Sequence, residues 1–168
     1  MSSSIVSKPG RHHPISVILH WAVVLLMGAA VLTAGDDGGG NLALHTLIGG
    51  IILVLMLIRF AMRWAVKQPA WASTGNGFLD LIGKLTHFGL YFFTFSILAT
   101  GAFMLLGGGG GGEMGEGFSV GFIFRAFHVL SWLAMFLLIL LHVGAAFYHQ
   151  FFVKDNLLGR MWFGKQNA

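Results

Sequence analysis

The stretch FSVGFIFRAFHVLSWLAMFLLILLHVGAAFYHQFF, residues 118–152, limits the fold more than any other part of the chain, and Arg125 is its only charged side chain. A helix needs about 20 apolar residues to cross the roughly 30 Å of a bilayer core. This run is longer than that and lacks the alternation of a strand, so we predict a transmembrane helix. Its histidines, His128, His142 and His149, then become functional candidates, because ionisable groups are costly to bury in a membrane.

Three further apolar runs have the same character. They cover residues 14–34, 41–64 and 78–106. In the whole chain of 168 residues, 56% are hydrophobic and only 10% are charged, whereas a soluble domain carries about 25% charge. The sequence therefore predicts one all-α domain over residues 1–168, an integral membrane four-helix bundle.

The charged residues sort by the side of the membrane. Two glycine-rich connections, residues 35–40 and 107–117, hold acidic side chains and no basic ones, and we interpret them as flexible linkers. Cytoplasmic loops are enriched in Lys and Arg, so both termini are predicted to be cytoplasmic. This distribution explains the net charge of +4 without a nucleic-acid partner. Nine of the ten basic residues lie on the predicted cytoplasmic side: Lys8, Arg11, Arg59, Arg63, Lys67, Lys84, Lys154, Arg160 and Lys165.

Four histidines fall at two depths in the predicted spans. His20 lies about six residues from the cytoplasmic start of the first span, and His142 about ten residues from the cytoplasmic end of the fourth. His45 enters the second span from the outer side, and His128 lies about ten residues from the outer end of the fourth. Each depth therefore holds one histidine of the fourth span and one histidine of another span.

Helix geometry places the two deep histidines of the fourth span on one face. Fourteen residues separate His128 from His142, which corresponds to a rise of about 21 Å and a rotation about 40° short of whole turns. Helix bundles hold cofactors with such inward-facing side chains. A haem with two histidine ligands takes one imidazole from each of two facing helices. We therefore predict two b-type haems, one near each membrane surface.

Other interpretations of the histidines stay open at this point. A lone histidine in a span is more often a hydrogen-bonded core residue than a ligand, although four histidines at two matched depths favour ligation. Zinc is less favoured, because it prefers four ligands clustered together. The chain contains no cysteine, which excludes disulfides, thiolate ligation and iron–sulfur clusters within it.

Several motifs follow one another along the chain in a specific order. They are His20-Trp21 in the first span, His45, residues 52–56 and Arg59 in the second, His87 and Tyr91 in the third, His128 and His142 in the fourth, and residues 154–158 with Arg160-Met161 in the tail. In this order and spacing the sequence resembles the bacterial cytochrome b561 family of di-haem membrane proteins, including its superoxide:ubiquinone oxidoreductase type. The resemblance covers most of the four spans and the C-terminal tail.

The resemblance implies a ligand set and a location. It implies that His20 and His142 bind the iron of the cytoplasmic-side haem, and that His45 and His128 bind the iron of the outer haem. This is the pairing that the two depths also predict. The resemblance further implies a multi-pass protein of the bacterial inner membrane, in contact with membrane lipid.

Some polar residues beyond these histidines are also candidates. His87, His149 and Lys84 lie near the cytoplasmic boundary, and we predict that they border a site for the headgroup of a quinone, because a quinone that accepts electrons also needs protons. The alternative is that they sit at the lipid headgroup level or bond a haem propionate. Arg59 and Arg125 are expected to bind haem propionates, although Arg125 could instead attract an anionic substrate such as superoxide.

These observations lead to one function and two rivals. We predict a transmembrane di-haem b cytochrome, an oxidoreductase that transfers electrons to ubiquinone, and the resemblance suggests superoxide as the donor on the periplasmic side. The first rival is a cytochrome b anchor subunit that takes electrons from a partner dehydrogenase or hydrogenase on the outer side. The second rival is a structural membrane subunit without haem.

Overall fold

The computed structural model describes residues 12–35, 40–108 and 120–162, and these residues form four long helices. Each helix is long and apolar enough to cross a membrane. The predicted all-α fold with four spans is therefore confirmed. The helices are α1 (Pro14–Thr33), α2 (Leu42–Ala65), α3 (Gly77–Phe103) and α4 (Val120–Tyr148), and single π-helical turns extend α3 over Met104–Gly108 and α4 over His149–Val153.

The starts of the first three helices are fixed by local chemistry. Pro14 occupies the first turn of α1, where its missing amide hydrogen costs no helical hydrogen bond. The side chain of Asn41 accepts a hydrogen bond from the backbone of Leu44 at 2.9 Å, and Asn76 does the same for Phe78. These caps satisfy amide groups that a helix end would otherwise leave unpaired.

The four helices are arranged as two hairpins. α1 packs closely against α2, and α3 packs most closely against α4. Within the second hairpin, the hydroxyl groups of Ser96 and Ser131 lie 3.0 Å apart, and Thr94 donates to the sulfur of Met135 at 3.5 Å. Direct packing between the hairpins is sparser than packing within them. The four helices therefore do not form a uniformly tight bundle, and the histidine-bearing α4 approaches α1 and α2 across a more open interface.

An apolar cluster joins the first hairpin to α3. Its buried members are Val23 of α1 and Ile48, Ile52 and Met56 of α2, and partly buried residues of α3 pack against them. Outside this cluster the helices present apolar side chains to their surroundings, such as Leu32 at 85% exposure. Such a surface is stable only when hydrocarbon covers it, since a soluble monomer rarely exposes large apolar patches.

Both ends of the described chain lie at one end of the bundle, which we call the inner end. The indole nitrogen of Trp21 in α1 donates to the carbonyl of Met161, after α4, at 2.8 Å. Arg160 in turn donates to the carbonyl of Ala70, in the connection between α2 and α3, at 3.3 Å. Most of the two glycine-rich connections, residues 36–39 of the first and 109–117 of the second, lies outside the described residues, so their interpretation as flexible linkers stays a prediction.

Candidate functional site

The outer pair of histidines, at the end of the bundle opposite the inner end, joins α2 to α4. The ring centres of His45 and His128 lie 6.3 Å apart, with their planes at 67°. Nδ1 of His45 is 2.9 Å from the carbonyl oxygen of Ala30. A carbonyl can only accept a hydrogen bond, so Nδ1 must carry the hydrogen. The opposite nitrogen, Nε2, then has a lone pair available for a metal ion.

A threonine of α3 orients the second ring of the outer pair in the same manner. Nδ1 of His128 is 3.1 Å from the hydroxyl oxygen of Thr100. That hydroxyl donates its single hydrogen to backbone carbonyls of α3, with Ser96 at 2.8 Å, so it accepts from His128. Both rings of the outer pair are thereby held by the protein through Nδ1, and both present Nε2.

Gly101 brings the backbone of α3 against the ring of His128. A Cβ atom at this position would lie 3.3 Å from Cε1 of the histidine and 3.6 Å from Nδ1. This is closer than most carbon contacts in proteins, so a larger side chain would have to displace the ring. Glycine is required here for close approach rather than for an unusual backbone conformation.

The inner pair joins α1 to α4. The ring centres of His20 and His142 lie 6.4 Å apart, again at 67°. A third histidine, His87 of α3, lies with its ring centre 4.8 Å from that of His142. The indole of Trp71 covers His87 at 5.4 Å. The inner end therefore contains a row of four rings, and only His20 and His142 have the spacing of the outer pair. The four rings are those of His20, His142, His87 and Trp71.

The spacing of both pairs matches two ligands of one iron. A histidine nitrogen binds a metal at about 2.0 Å and the ring centre lies about 1.1 Å behind it, so two rings on opposite sides of one ion have centres about 6 Å apart. The observed 6.3 Å and 6.4 Å agree with this value. Among the described residues, no group of three or more His, Cys, Asp or Glu side chains is arranged to hold a metal ion. With two imidazoles at this spacing, each pair can hold an ion whose remaining ligands come from a flat macrocycle.

The inner end is electropositive. Arg59 donates to the hydroxyl of Tyr91 at 3.3 Å and to the carbonyl of Ser16 at 3.5 Å, both neutral groups. Arg63 lies over the rings of Trp71 and Tyr91, with its guanidinium carbon 5.5 Å and 6.0 Å from their centres. In the part of the chain that the structure describes, neither guanidinium forms an ion pair with a carboxylate. An anionic group bound near the inner pair would find compensating charge here.

The same positive charges act on His12, which lies just outside the first span. Burial lowers the pKa of the His12 imidazole below its ordinary value, and the nearby guanidinium groups of Arg59, Arg160 and Arg63 lower it further. Its hydrogen bond with Gln68 acts in the opposite direction. The positive charges of α2 and of the residues after α4 therefore converge at the start of α1.

His149 is held by the carboxylate of Asp155, a residue of the tail motif 154–158 to which the sequence assigned no role. The imidazole is 7% exposed, and its Nδ1 lies 2.9 Å from Oδ2 of Asp155. The chain reaches this geometry through the π-helical turn that begins at His149 and through a left-handed residue, Lys154, with φ 58°. Non-glycine residues seldom adopt that conformation. The backbone therefore bends sharply so that Asp155 can return to the histidine.

The structure does not bring the three residues of the predicted quinone site into one cluster. His87 contacts His142, whereas His149 pairs with Asp155. Lys84 is exposed on α3, one turn before His87. In the described part of the chain, no hydrogen bond, ion pair or ring contact joins these three side chains to one another. They share the inner end of the bundle but occupy different positions within it.

Arg125 lies on α4 one turn before His128, and its side chain is exposed.

Four residues with a clear structural role at the histidines went unrecognised in the sequence: Thr100, Gly101, Asp155 and Trp71. Only Asp155 offered a sequence signal, since it is an acid close to a histidine at the end of an apolar span. The contacts of the other three residues depend on the orientation of α3, and of the loop before it, relative to α4.

Comparison with known proteins finds two similarities that cover nearly the whole chain. The family described as prokaryotic cytochrome b561 matches residues 11–164. A protein of Cereibacter sphaeroides named cytochrome b562 is 29% identical over 170 aligned positions, which cover 94% of this chain and 98% of the relative. Both similarities therefore extend across all four helices and both histidine pairs.

Gly101→Val should disturb the outer pair selectively. The added side chain meets the ring of His128, so we expect haem affinity at the outer pair to fall by about ten- to a hundredfold, the usual effect of disturbing a residue that orients a metal ligand. Haem titration followed by absorbance measures this. Gly144→Val is the matched control, because nothing lies within 4 Å of a Cβ at that exposed position. Equal losses in both variants would contradict the role of Gly101.

Proposed function

The chain belongs to the prokaryotic cytochrome b561 family, and we propose that it is a transmembrane di-haem cytochrome b that transfers electrons to ubiquinone. Family membership makes it a multi-pass bacterial membrane protein of electron transport with haem b as its cofactor. The number of haems, their ligands and the quinone belong to the proposal. In this proposal both termini face the cytoplasm, so the inner end is the cytoplasmic end.

The observation that carries the proposal is the equal spacing of two histidine pairs at two levels. We assign His20 and His142 to the iron of the inner haem and His45 and His128 to the iron of the outer haem. Each bound haem would supply a reversible one-electron carrier. The protein's contribution is to fix the imidazoles, and for the outer pair Ala30 and Thr100 do so through Nδ1.

Two arginines are assigned to the carboxylate groups of the haems. Arg59 lies on α2 near the inner pair and contacts only neutral groups of the protein, so a propionate would complete its set of partners. Arg125 lies one turn from His128 and is assigned to the outer haem. Its exposed guanidinium also attracts anions toward the outer end, which suits a small anionic donor such as superoxide.

The quinone is proposed to bind at the inner end, where protons are available. Reduction of ubiquinone to ubiquinol consumes two electrons and two protons. The electrons would arrive one at a time from the haems. Because Asp155 accepts from Nδ1 of His149, a protonated His149 can give up the hydrogen on Nε2 to a quinone oxygen and remain neutral. The carboxylate fixes the orientation of the ring for this transfer. In this proposal His87 and Lys84 border the headgroup from α3.

His149→Gln should separate proton delivery from haem binding. General acid catalysis contributes about 100-fold or more, so we expect oxidation of the reduced cytochrome by ubiquinone to slow by at least tenfold while both haems stay bound. Stopped-flow absorbance at the haem bands measures this rate. His13→Asn is the matched control, since it removes a histidine from the same end and preserves a side chain able to cap α1. An unchanged rate in His149→Gln would overturn the assignment of His149.

The donor can be tested with the purified chain alone. Superoxide generated in the presence of a soluble ubiquinone should yield ubiquinol without any partner protein, and Arg125→Gln should slow the reaction severalfold at low ionic strength and less at high ionic strength. Lys67→Gln removes the same charge at the other end and should have no effect. If superoxide forms no ubiquinol but a partner dehydrogenase does reduce the haems, the chain is an anchor subunit instead.

A further inference from the structure

Arg160 is a buried cation with an incomplete set of partners. It lies in the short 3-10 turn Leu158–Met161 and is only 4% exposed. One terminal nitrogen, Nη1, donates to the carbonyl of Ala70 at 3.3 Å, whereas Nε is buried and has no hydrogen-bond partner. Burial lowers the pKa of this guanidinium, but the group still keeps its charge. A buried charge normally has a paired counter-ion, because removing an ion from water is costly.

The nearest described acid is already engaged elsewhere. The charge of Asp155 acts on Arg160 and raises its pKa. However, one carboxylate oxygen of Asp155 is bonded to His149 at 2.9 Å and the other accepts from the amide of Leu157 at 3.2 Å. No carboxylate among the described residues lies within 4.0 Å of the Arg160 guanidinium. A planar guanidinium with an unused edge is the geometry that binds a carboxylate or a phosphate through two hydrogen bonds.

The position of Arg160 in the fold indicates where such an anion would come from. The next residue, Met161, accepts the indole hydrogen of Trp21 at 2.8 Å, and the ring of Trp21 lies 5.5 Å from that of His20. The fields of Arg160 and Arg59 also both reach His12. Arg160 is therefore tied to the surroundings of the inner pair, although it is 18 residues away from His142 along the chain.

We propose that Arg160 binds a propionate carboxylate of the inner haem, so that the C-terminal tail (residues 154–162) acts as a clasp over that haem. The inference rests on the proposed function, since it needs a haem at His20 and His142. It extends the inner-haem site to the C-terminal tail, a part of the chain that carries no iron ligand. In this arrangement one propionate pairs with Arg59 from α2 and the other with Arg160 from the tail. Haem binding then holds together α1, α4 and the connection that contains Ala70.

A phosphate of a bound anionic lipid offers the same chemistry to Arg160. The two sources differ in what the loss of Arg160 would change. A guanidinium on a propionate favours the reduced haem, because its positive charge repels the additional positive charge of the oxidised iron and offsets the carboxylate that would stabilise it. Loss of Arg160 should therefore lower the reduction potential of the inner haem. Loss of a lipid site should instead lower the amount of phospholipid that stays with the purified protein.

The test is a potentiometric titration of the purified holoprotein and of Arg160→Gln and Arg160→Lys. We expect the potential of the inner haem to fall in Arg160→Gln and to recover in part in Arg160→Lys, with the outer haem unchanged. The outer haem also reports, within the same molecule, that the variant is folded. Arg63→Gln is the matched control, because it also removes a positive charge at the inner end. The guanidinium of Arg63 lies over the rings of Trp71 and Tyr91. The inner-haem potential should fall less in this control.

A second arm replaces the haem by its dimethyl ester, in which the carboxylates are blocked. In that protein the guanidinium has no carboxylate to hold it beside the haem, so Arg160→Gln should shift the inner-haem potential less than it does with the free acid. Unchanged potentials in Arg160→Gln with two haems bound would overturn the clasp while leaving the proposed function standing, and so would an equal fall in Arg63→Gln. Loss of retained phospholipid without a shift in potential would assign Arg160 to a lipid phosphate and also overturn the clasp. Wild-type protein without haem would overturn the proposed function itself.

Discussion

The arrangement of this protein depends on one constraint, which is that a single helix carries an imidazole toward each membrane surface on nearly the same face. The spacing of His128 and His142 is set by helical pitch, so any partner histidine must lie at one of two levels. α1 reaches the inner level with His20 and α2 reaches the outer level with His45, and both ring pairs have centres just over 6 Å apart. The apolar cluster around Val23 and Ile52 occupies the first hairpin between these levels.

The two levels differ in what surrounds the rings. At the outer level, short polar contacts from α1 and α3 fix Nδ1 of each ring, and Gly101 lets the backbone of α3 touch His128. At the inner level, arginines, a third histidine and the tail after α4 gather around the pair. This difference fits the proposed function, in which protons are delivered at the inner end, beside the quinone.

Much of this could be predicted from the sequence because it follows from periodic quantities. Hydropathy gave the four spans, and helical pitch gave the two levels, since both depend only on residue spacing along a helix. Thr100 and Asp155 could not be found in that way. Thr100 meets His128 because of how α3 is oriented against α4, and Asp155 reaches His149 through the π-helical turn and the left-handed backbone at Lys154. Sequence spacing also grouped His87 with His149, whereas His87 lies against His142.

The most direct measurement of the central claim is the number of haems per polypeptide, obtained from oxidised and reduced absorption spectra of the chain purified in mild detergent. Two low-spin b haems per chain are expected, with one of them lost when either histidine of a pair is replaced. One haem in the wild-type chain would show that only one of the two histidine pairs holds iron. A protein without haem would show that neither pair holds iron and would leave the four histidines as hydrogen-bonded core residues of a four-span membrane fold.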